Sequence, residues 1–136
     1  MYLLLDTSSP EHFTLALAKP DGQWLAIKQI ASHFTQSEKI LPNIERLLGK
    51  FKVYPKGIAG ILAVVGPGGF TSIRIGVMTA DALGYAWHKP VLALNTGGYD
   101  VRKGIGQRTL QKLRKIKAGS QAVPQYGHPP HITKPR

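Results

Sequence analysis

The sequence contains no cysteine, and this absence removes several kinds of chemistry at once. Disulfides, thiolate nucleophiles and zinc–thiolate sites are all excluded. Apolar runs are also short, and none approaches the roughly 18 residues that cross a membrane. The first residues, 1–6, have no basic segment and meet a charge at once, which does not fit a secretory signal. We therefore expect a cytoplasmic protein with no membrane partner.

Acidic residues are scarce, and their distribution divides the chain. There are 18 Lys and Arg residues against seven Asp and Glu, for a net charge of +11. Residues 1–97 carry nine basic and six acidic residues, whereas residues 98–136 carry nine basic residues and a single acid, Asp100. We predict a near-neutral domain over 1–97, followed by a basic, proline-containing and poorly ordered tail over 98–136. Such a tail is typical of a nucleic-acid-binding arm or of a solvated, disordered extension.

Hydrophobic patterning in the first 97 residues predicts five strands and two helices. The expected strands cover residues 2–5, 13–18, 23–30, 58–65 and 90–95. Short polar links join the first three strands, so these should form an antiparallel meander. The last two strands flank a helix, so they should be parallel. The resulting order, β-β-β-α-β-α-β, indicates an α/β fold in which helices pack on one mixed sheet.

Local signals place the helices. Thr35 is expected to cap the first helix, with Glu38 completing a capping box, and Pro42 must lie in its first turns or bend it. The second helix should cover 71–88. Beyond the predicted domain, residues 107–117 fit a short basic amphipathic helix, and the chain from Ala122 onward reads as extended because it is rich in proline.

A glycine-rich stretch, residues 66–76, separates the fourth strand from the second helix and reads GPGGFTSIRIG. No lysine follows the glycines, so the stretch is not a Walker loop, and Thr71 stands where a dinucleotide fingerprint needs its third glycine. Two interpretations remain: a tight strand-to-helix connection, which turn chemistry favours, or an anion cradle at a helix start.

This stretch resembles the motif Gly-Pro-Gly-Ser-Phe-Thr-Gly-Leu-Arg-Ile-Gly of the TsaB family, also called YeaZ. Gly69 replaces the usual serine, and Ser72 replaces the usual glycine. Two further places are similar to the family: the opening Leu-Leu-Asp-Thr-Ser at 4–8, and a segment with His33 that continues through residues 35–42. The resemblance covers about residues 2–97.

The resemblance implies a single lobe of the actin/Hsp70-like fold, also called ASKHA or ribonuclease H-like. Complete members have a second lobe of comparable size, which the residues after Gly97 do not resemble. TsaB is the non-catalytic partner of the TsaD enzyme in making N6-threonylcarbamoyladenosine at position 37 of tRNA. The family therefore implies an accessory subunit, with no catalytic residue and no metal site in this chain.

The resemblance also suggests where a nucleotide would lie. In the wider fold, a carboxylate after the first strand and the adjoining turn contact a bound nucleotide, which points to Asp6, Thr7 and Ser8. A structural role for Asp6 in its turn is the slightly favoured alternative. We therefore expect no cofactor, with ATP at an interface shared with a partner as the alternative. His33 stands alone, and we interpret it as a hydrogen-bonded structural residue rather than a metal ligand.

Association is the role that the family implies, through two lobe helices that pack on TsaD or on a second copy of TsaB. The expected interface residues lie in the two predicted helices: Ile40, Ile44, Leu47, Arg74, Gly76, Ala80 and Gly84. The small residues at a spacing of four would let another helix approach closely. The alternative is that these positions face the protein's own sheet, because periodicity cannot say which face is the interface.

Two other functions compete with this hypothesis. The first is a stand-alone nucleic-acid-binding protein acting through its basic tail, which in the docking hypothesis would instead contact tRNA phosphates. The residues expected to make these contacts are Arg108, Lys112, Arg114, Lys115 and Lys117. The second is an enzyme that hydrolyses a nucleotide or a peptide, which ranks last because no nucleophile, base and orienting group can be assembled from the sequence.

Overall fold

The computed structural model describes residues 1–118, which form one mixed sheet covered by helices on both faces. The strands are β1 (Tyr2–Asp6), β2 (His12–Ala18), β3 (Trp24–Ala31), β4 (Gly60–Gly66) and β5 (Val91–Asn95). The helices are α1 (Gln36–Lys50), α2 (Phe70–Trp87) and α3 (Gln107–Lys115), with a 3-10 turn at Pro55–Gly57. The predicted element order is confirmed, and the segment from Ala122 onward lies outside the described residues.

The strand order in the sheet is β3-β2-β1-β4-β5. β1 pairs antiparallel with β2, and β2 pairs antiparallel with β3, so the predicted meander is confirmed. On its other edge β1 runs parallel to β4, and β4 runs parallel to β5, as expected for strands that flank a helix. β1 is therefore the central strand, paired on both edges.

The two faces of the sheet carry separate apolar clusters, because successive side chains of a strand point to opposite faces. Leu3 and Leu5 belong to the cluster that also contains the buried residues of α1 and α2. Tyr2 and Leu4 belong to the other cluster, which contains the apolar residues of α3. The α/β sandwich is thus closed on both sides by the described chain.

The start of α1 differs from the predicted capping box. Thr35 is the N-cap residue, as expected, but its side chain caps no helix N–H group. Its hydroxyl donates instead to the carbonyl of Ser32, a local bond that competes with capping. Pro42 lies inside α1, in its second turn, and the helix continues through it to Lys50.

The segment after β5 also differs from the expected poorly ordered tail. The predicted short helix is present as α3, and its Leu110 and Leu113 are 0% and 1% exposed. The Ile105 N–H donates to the Gly22 carbonyl at 2.8 Å, which fixes the approach to the helix. Without these residues Tyr2 and Leu4 would face water, so burial of apolar surface favours the docked arrangement. Within residues 1–118, no helix is long and apolar enough to span a bilayer.

Candidate functional site

The carboxyl ends of the parallel strands meet at one edge of the sheet, where Asp6 ends β1. Its Oδ1 accepts hydrogen bonds from the Ser8 N–H (3.0 Å) and the Ser8 hydroxyl (2.7 Å). Its Oδ2 accepts a hydrogen bond from the Tyr99 hydroxyl at 2.6 Å. Hydrogen bonds to a charged acceptor are stronger than neutral ones, so both carboxylate oxygens are held in place by the chain itself.

Tyr99 is held at its hydroxyl by Asp6 and at its ring by Trp24. It packs edge-to-face against Trp24, with ring centroids 5.9 Å apart, and the Trp24 indole N–H donates to the Asp100 carbonyl at 2.9 Å. Burial raises the pKa of the Tyr99 hydroxyl well above its ordinary value, and the hydrogen bond and charge of Asp6 raise it further. The phenol is therefore a hydrogen-bond donor throughout the neutral range.

Thr7 joins β1 to the second helix. Its side chain is fully buried, and its hydroxyl donates to the Ser72 carbonyl at 2.5 Å. Gly76 lies directly above, where a Cβ would come within 2.2 Å of the Thr7 Oγ1. The predicted nucleotide contacts Asp6, Thr7 and Ser8 are thus brought together, but their polar atoms already bind within the chain. Nucleotide binding at these residues stays a prediction.

The glycine-rich stretch has the geometry of a tight connection. Gly66 has a φ of +120°, and its carbonyl accepts a hydrogen bond from the Thr96 N–H at 3.0 Å. The Gly69 N–H donates to the Ser8 carbonyl at 3.2 Å, and a Cβ on Gly68 would lie 2.8 Å from the same oxygen. The loop packs on the turns at both neighbouring strand ends, which agrees with the favoured interpretation.

His33 occupies a different environment from the one expected. Its side chain is exposed, and its backbone N–H donates to the Glu11 carbonyl at 3.0 Å. Within residues 1–118 its imidazole makes no hydrogen bond, so the predicted structural bond is wrong. The same part of the chain contains no group of three or more His, Cys, Asp or Glu side chains that could hold a metal ion.

Six of the seven expected interface residues are buried in the chain's own core. Ile40, Ile44 and Leu47 of α1 pack against the sheet, as does Ala80 of α2. Gly76 and Gly84 also face inward, where a Cβ on Gly84 would lie 2.4 Å from the Val91 Cγ2. The prediction that this face receives a partner helix is therefore corrected: the small residues let α2 lie close to β1 and β5.

Arg74 is exposed, with its guanidinium 5.8 Å from the centre of the Phe70 ring.

The opposite side of α2 carries a second row of residues that the sequence reasoning missed. We call it the outer α2 face, and it consists of Thr71, Ile75, Met78, Ala82 and Tyr85. Met78 is 62% exposed and Tyr85 is 79% exposed. The spacing alternates between four and three, the spacing of a helix seam that packs against another helix. That signal was present in the sequence, beside the more conspicuous glycine face.

An apolar groove continues the outer α2 face past the start of the helix. It is lined by Pro10, Phe34, Gln36, Gly69, Phe70, Thr71, Ser72 and Ile75. Phe34 is 76% exposed and has a φ of +68°, an uncommon conformation for a bulky residue. The Phe34 N–H donates to the Pro10 carbonyl at 2.9 Å, which holds the turn that presents its ring to solvent.

The basic residues expected to contact nucleic acid all lie on or just after α3, and all are exposed. Arg108, Lys112 and Lys115 are spaced to share one side of the helix, opposite the buried Leu110 and Leu113. Arg114 projects differently and reaches the Pro20 carbonyl at 3.4 Å. Lys117 follows the helix end.

The family model described as "TsaD: tRNA N6-adenosine threonylcarbamoyltransferase" matches residues 29–102 of this chain. Among curated proteins, the tRNA N6-adenosine threonylcarbamoyltransferase of Rhodopirellula baltica is 38% identical over 58 residues, 43% of this chain and 16% of that protein. The protein of the same name from Anaeromyxobacter sp. (strain Fw109-5) is 33% identical over 57 residues, 42% of this chain and 17% of its own length. The chain thus spans about a sixth of these enzymes.

Solved structures with the same fold come from Pseudomonas aeruginosa. One is described as an uncharacterized protein with similarity to peptidase YEAZ, and it matches with a TM-score of 0.63 and 31% identity. A structure described as YeaZ matches with a TM-score of 0.61 and 31% identity. Each match covers 69% of this chain and 42% of the other, so the chain spans less than half of either structure. The expected fold class is confirmed.

Proposed function

This chain belongs to the TsaD family, with a lobe of the TsaB (YeaZ) type, and on that premise we propose that it is a non-catalytic docking subunit. Its proposed partner is a TsaD-like enzyme that makes N6-threonylcarbamoyladenosine in tRNA. The name of the matched family supports the reaction, and the likeness to YeaZ supports the accessory role. tRNA, the substrate in the family's name, is the second partner that we propose.

The outer α2 face is the observation that carries this proposal. Met78 and Tyr85 are exposed along one side of an 18-residue helix whose other side is already buried, and Ile75, partly buried against the core, continues the row toward the helix start. Large apolar side chains grouped in a row on the surface are typical of an interaction site, whereas single ones are not. Their alternating spacing suits the apolar seam of a second helix lying along α2.

The groove around Phe34 and Phe70 extends this surface toward Pro10, which follows the turn after β1. Aromatic residues near the centre of an interface contribute much of its binding energy. The backbone of Phe34 is fixed in a left-handed turn, so little backbone freedom remains to be lost on docking. Arg74 sits between the groove and Met78, where its guanidinium could bind an acidic group of the partner.

A second copy of this chain is the alternative occupant of the same face. Two outer α2 faces would then pack in a symmetric dimer, in which each Met78 meets apolar residues of the other copy. Docking on the enzyme and dimerisation would exclude each other, because both need the same residues. ATP, if it binds, is proposed to lie at the interface with the enzyme, near Asp6.

The test is co-purification with the TsaD-like protein of the same genome, using a tag on one protein only. We expect a stable complex by size-exclusion chromatography with light scattering. Replacing Met78→Glu and Tyr85→Glu should weaken it by at least about 30-fold, since buried anchor residues each contribute about 2 kcal/mol or more. The same variant should be monomeric if the free protein dimerises through this face.

A matched control replaces Tyr54→Glu and Val101→Glu, which are 71% and 65% exposed and lie outside α2. This control changes the same number of exposed apolar residues to the same acid and should bind normally. Folded proteins that form no complex would reject the proposal. Equal loss in both double variants would reject the outer α2 face as the docking site.

A further inference from the structure

The end of the described chain has an unusually one-sided charge. Residues 101–118 contain seven Lys and Arg residues and no Asp or Glu. The nearest acid in sequence is Asp100, whose carboxylate binds within its own turn. Its Oδ1 accepts hydrogen bonds from the backbone N–H groups of Arg102 (2.8 Å) and Lys103 (2.9 Å). The positive charge of α3 is therefore not neutralised by carboxylates from its own segment.

Three of these charges form a ridge along α3. Arg108, Lys112 and Lys115 follow a spacing of four and three, so their side chains lie on one side of the helix. At 1.5 Å per residue the ridge is about 10 Å long. All three are exposed, and within residues 1–118 none makes a hydrogen bond or an ion pair. Like charges at this spacing repel one another, so an anionic partner would relieve the repulsion.

The buried side of α3 argues against a lipid membrane as the anionic partner of this helix. A helix that lies in a membrane interface needs an apolar face free to enter it. In α3 that face is not available to a membrane, because Leu110 and Leu113 are buried against the sheet with Ile105. What remains outside is the cationic ridge, which fits a partner whose surface is a regular row of anions.

A groove with hydrogen-bonding groups runs beside the ridge. It is lined by residues of β5, two residues of α3, one residue of β4 and one residue after β5: Leu92, Ala93, Leu94, Asn95, Thr109, Lys112, Val65 and Gly98. Asn95 and Thr109 are polar and partly or fully exposed, and the ammonium of Lys112 stands at the same groove. Amide, hydroxyl and ammonium groups are the ones that bind phosphate and sugar oxygens in nucleic-acid complexes.

From the exposed charges and the adjoining groove we infer that α3 binds the phosphate backbone of RNA. Arg108, Lys112 and Lys115 are the principal contacts. The choice of tRNA as the RNA rests on the proposed function. α3 lies on one face of the sheet and α2 on the other, since their buried residues belong to the two opposite clusters. The chain can therefore hold RNA on α3 while the outer α2 face is docked on a protein.

The experiment measures binding of an unmodified tRNA transcript to the full chain by fluorescence anisotropy between 50 and 200 mM salt. The test variant carries Arg108→Gln, Lys112→Gln and Lys115→Gln. We expect its affinity at low salt to fall by at least about tenfold, and the slope of log affinity against log salt to fall by about two to three. Folding should be unchanged by circular dichroism, because the three side chains hold nothing within the described structure.

The matched control carries Arg46→Gln, Lys50→Gln and Lys56→Gln, which are also exposed and remove the same charge. Arg46 and Lys50 share the four-residue spacing of Arg108 and Lys112, but on α1. Binding by this control should stay within about twofold of the wild type. Equal losses in both triple variants would show that only net charge matters and would overturn the inference.

Two further results would overturn it. One is a test variant that binds tRNA like the wild type, and the other is wild-type binding to phosphatidylglycerol vesicles in place of tRNA. Co-purification with the TsaD-like protein separates this inference from the proposed function. If no complex forms but tRNA still binds through Arg108, Lys112 and Lys115, only the docking role is rejected. If the complex forms but tRNA binding does not depend on these residues, only the RNA surface is rejected.

Discussion

Tyr99 donates a hydrogen bond to the Asp6 carboxylate at 2.6 Å, although the two residues are 93 positions apart in the chain. The bond ties the segment that leaves β5 to the end of the central strand β1. Together with the Trp24 contact, it holds the start of the path that leads to α3. The cluster where a nucleotide was expected is thus also a structural junction.

Replacing Tyr99→Phe removes this bond and keeps the ring. We expect a loss of about 1 kcal/mol in the free energy of unfolding, below the usual range for a bond to a charged group because Tyr99 is partly exposed. Urea denaturation followed by circular dichroism measures the change. Tyr54→Phe is the control, since Tyr54 is exposed, and it should leave the midpoint unchanged. An equal midpoint in both variants would show that the Tyr99 bond adds no stability.

The same tyrosine predicts a pH dependence. Its pKa is raised in the folded state above the ordinary value of 10.0, so the folded protein holds this proton more tightly than the unfolded chain. The stabilisation is fully present below pH 10 and is lost as the pH rises above it. The stability difference between the wild type and Tyr99→Phe should therefore be constant from pH 7 to about 9 and shrink at more alkaline pH. A difference that grows with alkaline pH would contradict this sign.

Gly76 lets α2 lie directly on Thr7, which leaves no space for a methyl group. Gly76→Ala should lower the free energy of unfolding by about 2 to 4 kcal/mol, because the new Cβ would meet the buried Thr7 Oγ1. Gly49→Ala is the matched control in α1, since nothing lies within 4 Å of its Cβ position. That change should be neutral or stabilise by up to about 1 kcal/mol through helix propensity. Thermal unfolding of the two variants gives the comparison.

Leu113 tests whether α3 belongs to the folded unit. Leu113→Ala leaves a cavity beside Gly60 and should destabilise the protein by about 2 to 5 kcal/mol. Val101→Ala, an exposed position in the same segment, should change stability by less than about 0.5 kcal/mol. If both changes were silent in urea denaturation, the docking of α3 seen in the structure would not contribute to stability.

Much of the fold could be predicted because its signals are local. Alternating apolar strands, Pro–Gly turns and the glycine stretch determine the order of elements, and the short links determine which strands are antiparallel. The resemblance in residues 66–76 then identified the lobe. Even the short helix α3 was visible, because Leu110 and Leu113 recur at helical spacing.

The docking of α3 could not be predicted, because it depends on contacts between residues about 100 positions apart. The charge of residues 98–136 suggested solvation, yet a few apolar residues are enough to cover Tyr2 and Leu4. A similar difficulty affected α2, which is apolar on two sides. The packing of Gly76 on Thr7 and of Gly84 on Val91 shows which side faces the sheet, and therefore that Met78 and Tyr85 face outward.

The position of β1 has a consequence for hydrogen exchange. Its residues Leu3, Leu4 and Leu5 are hydrogen-bonded to strands on both edges and covered by helices on both faces. β5, in contrast, has a strand partner on one edge only within residues 1–118. The β1 amides should therefore exchange with deuterium only when the whole domain opens, and those of β5 much sooner. Asp6 stands at the end of this doubly paired strand, so we expect the junction that it forms with Tyr99 to open from the Tyr99 side while the β1 side stays in place.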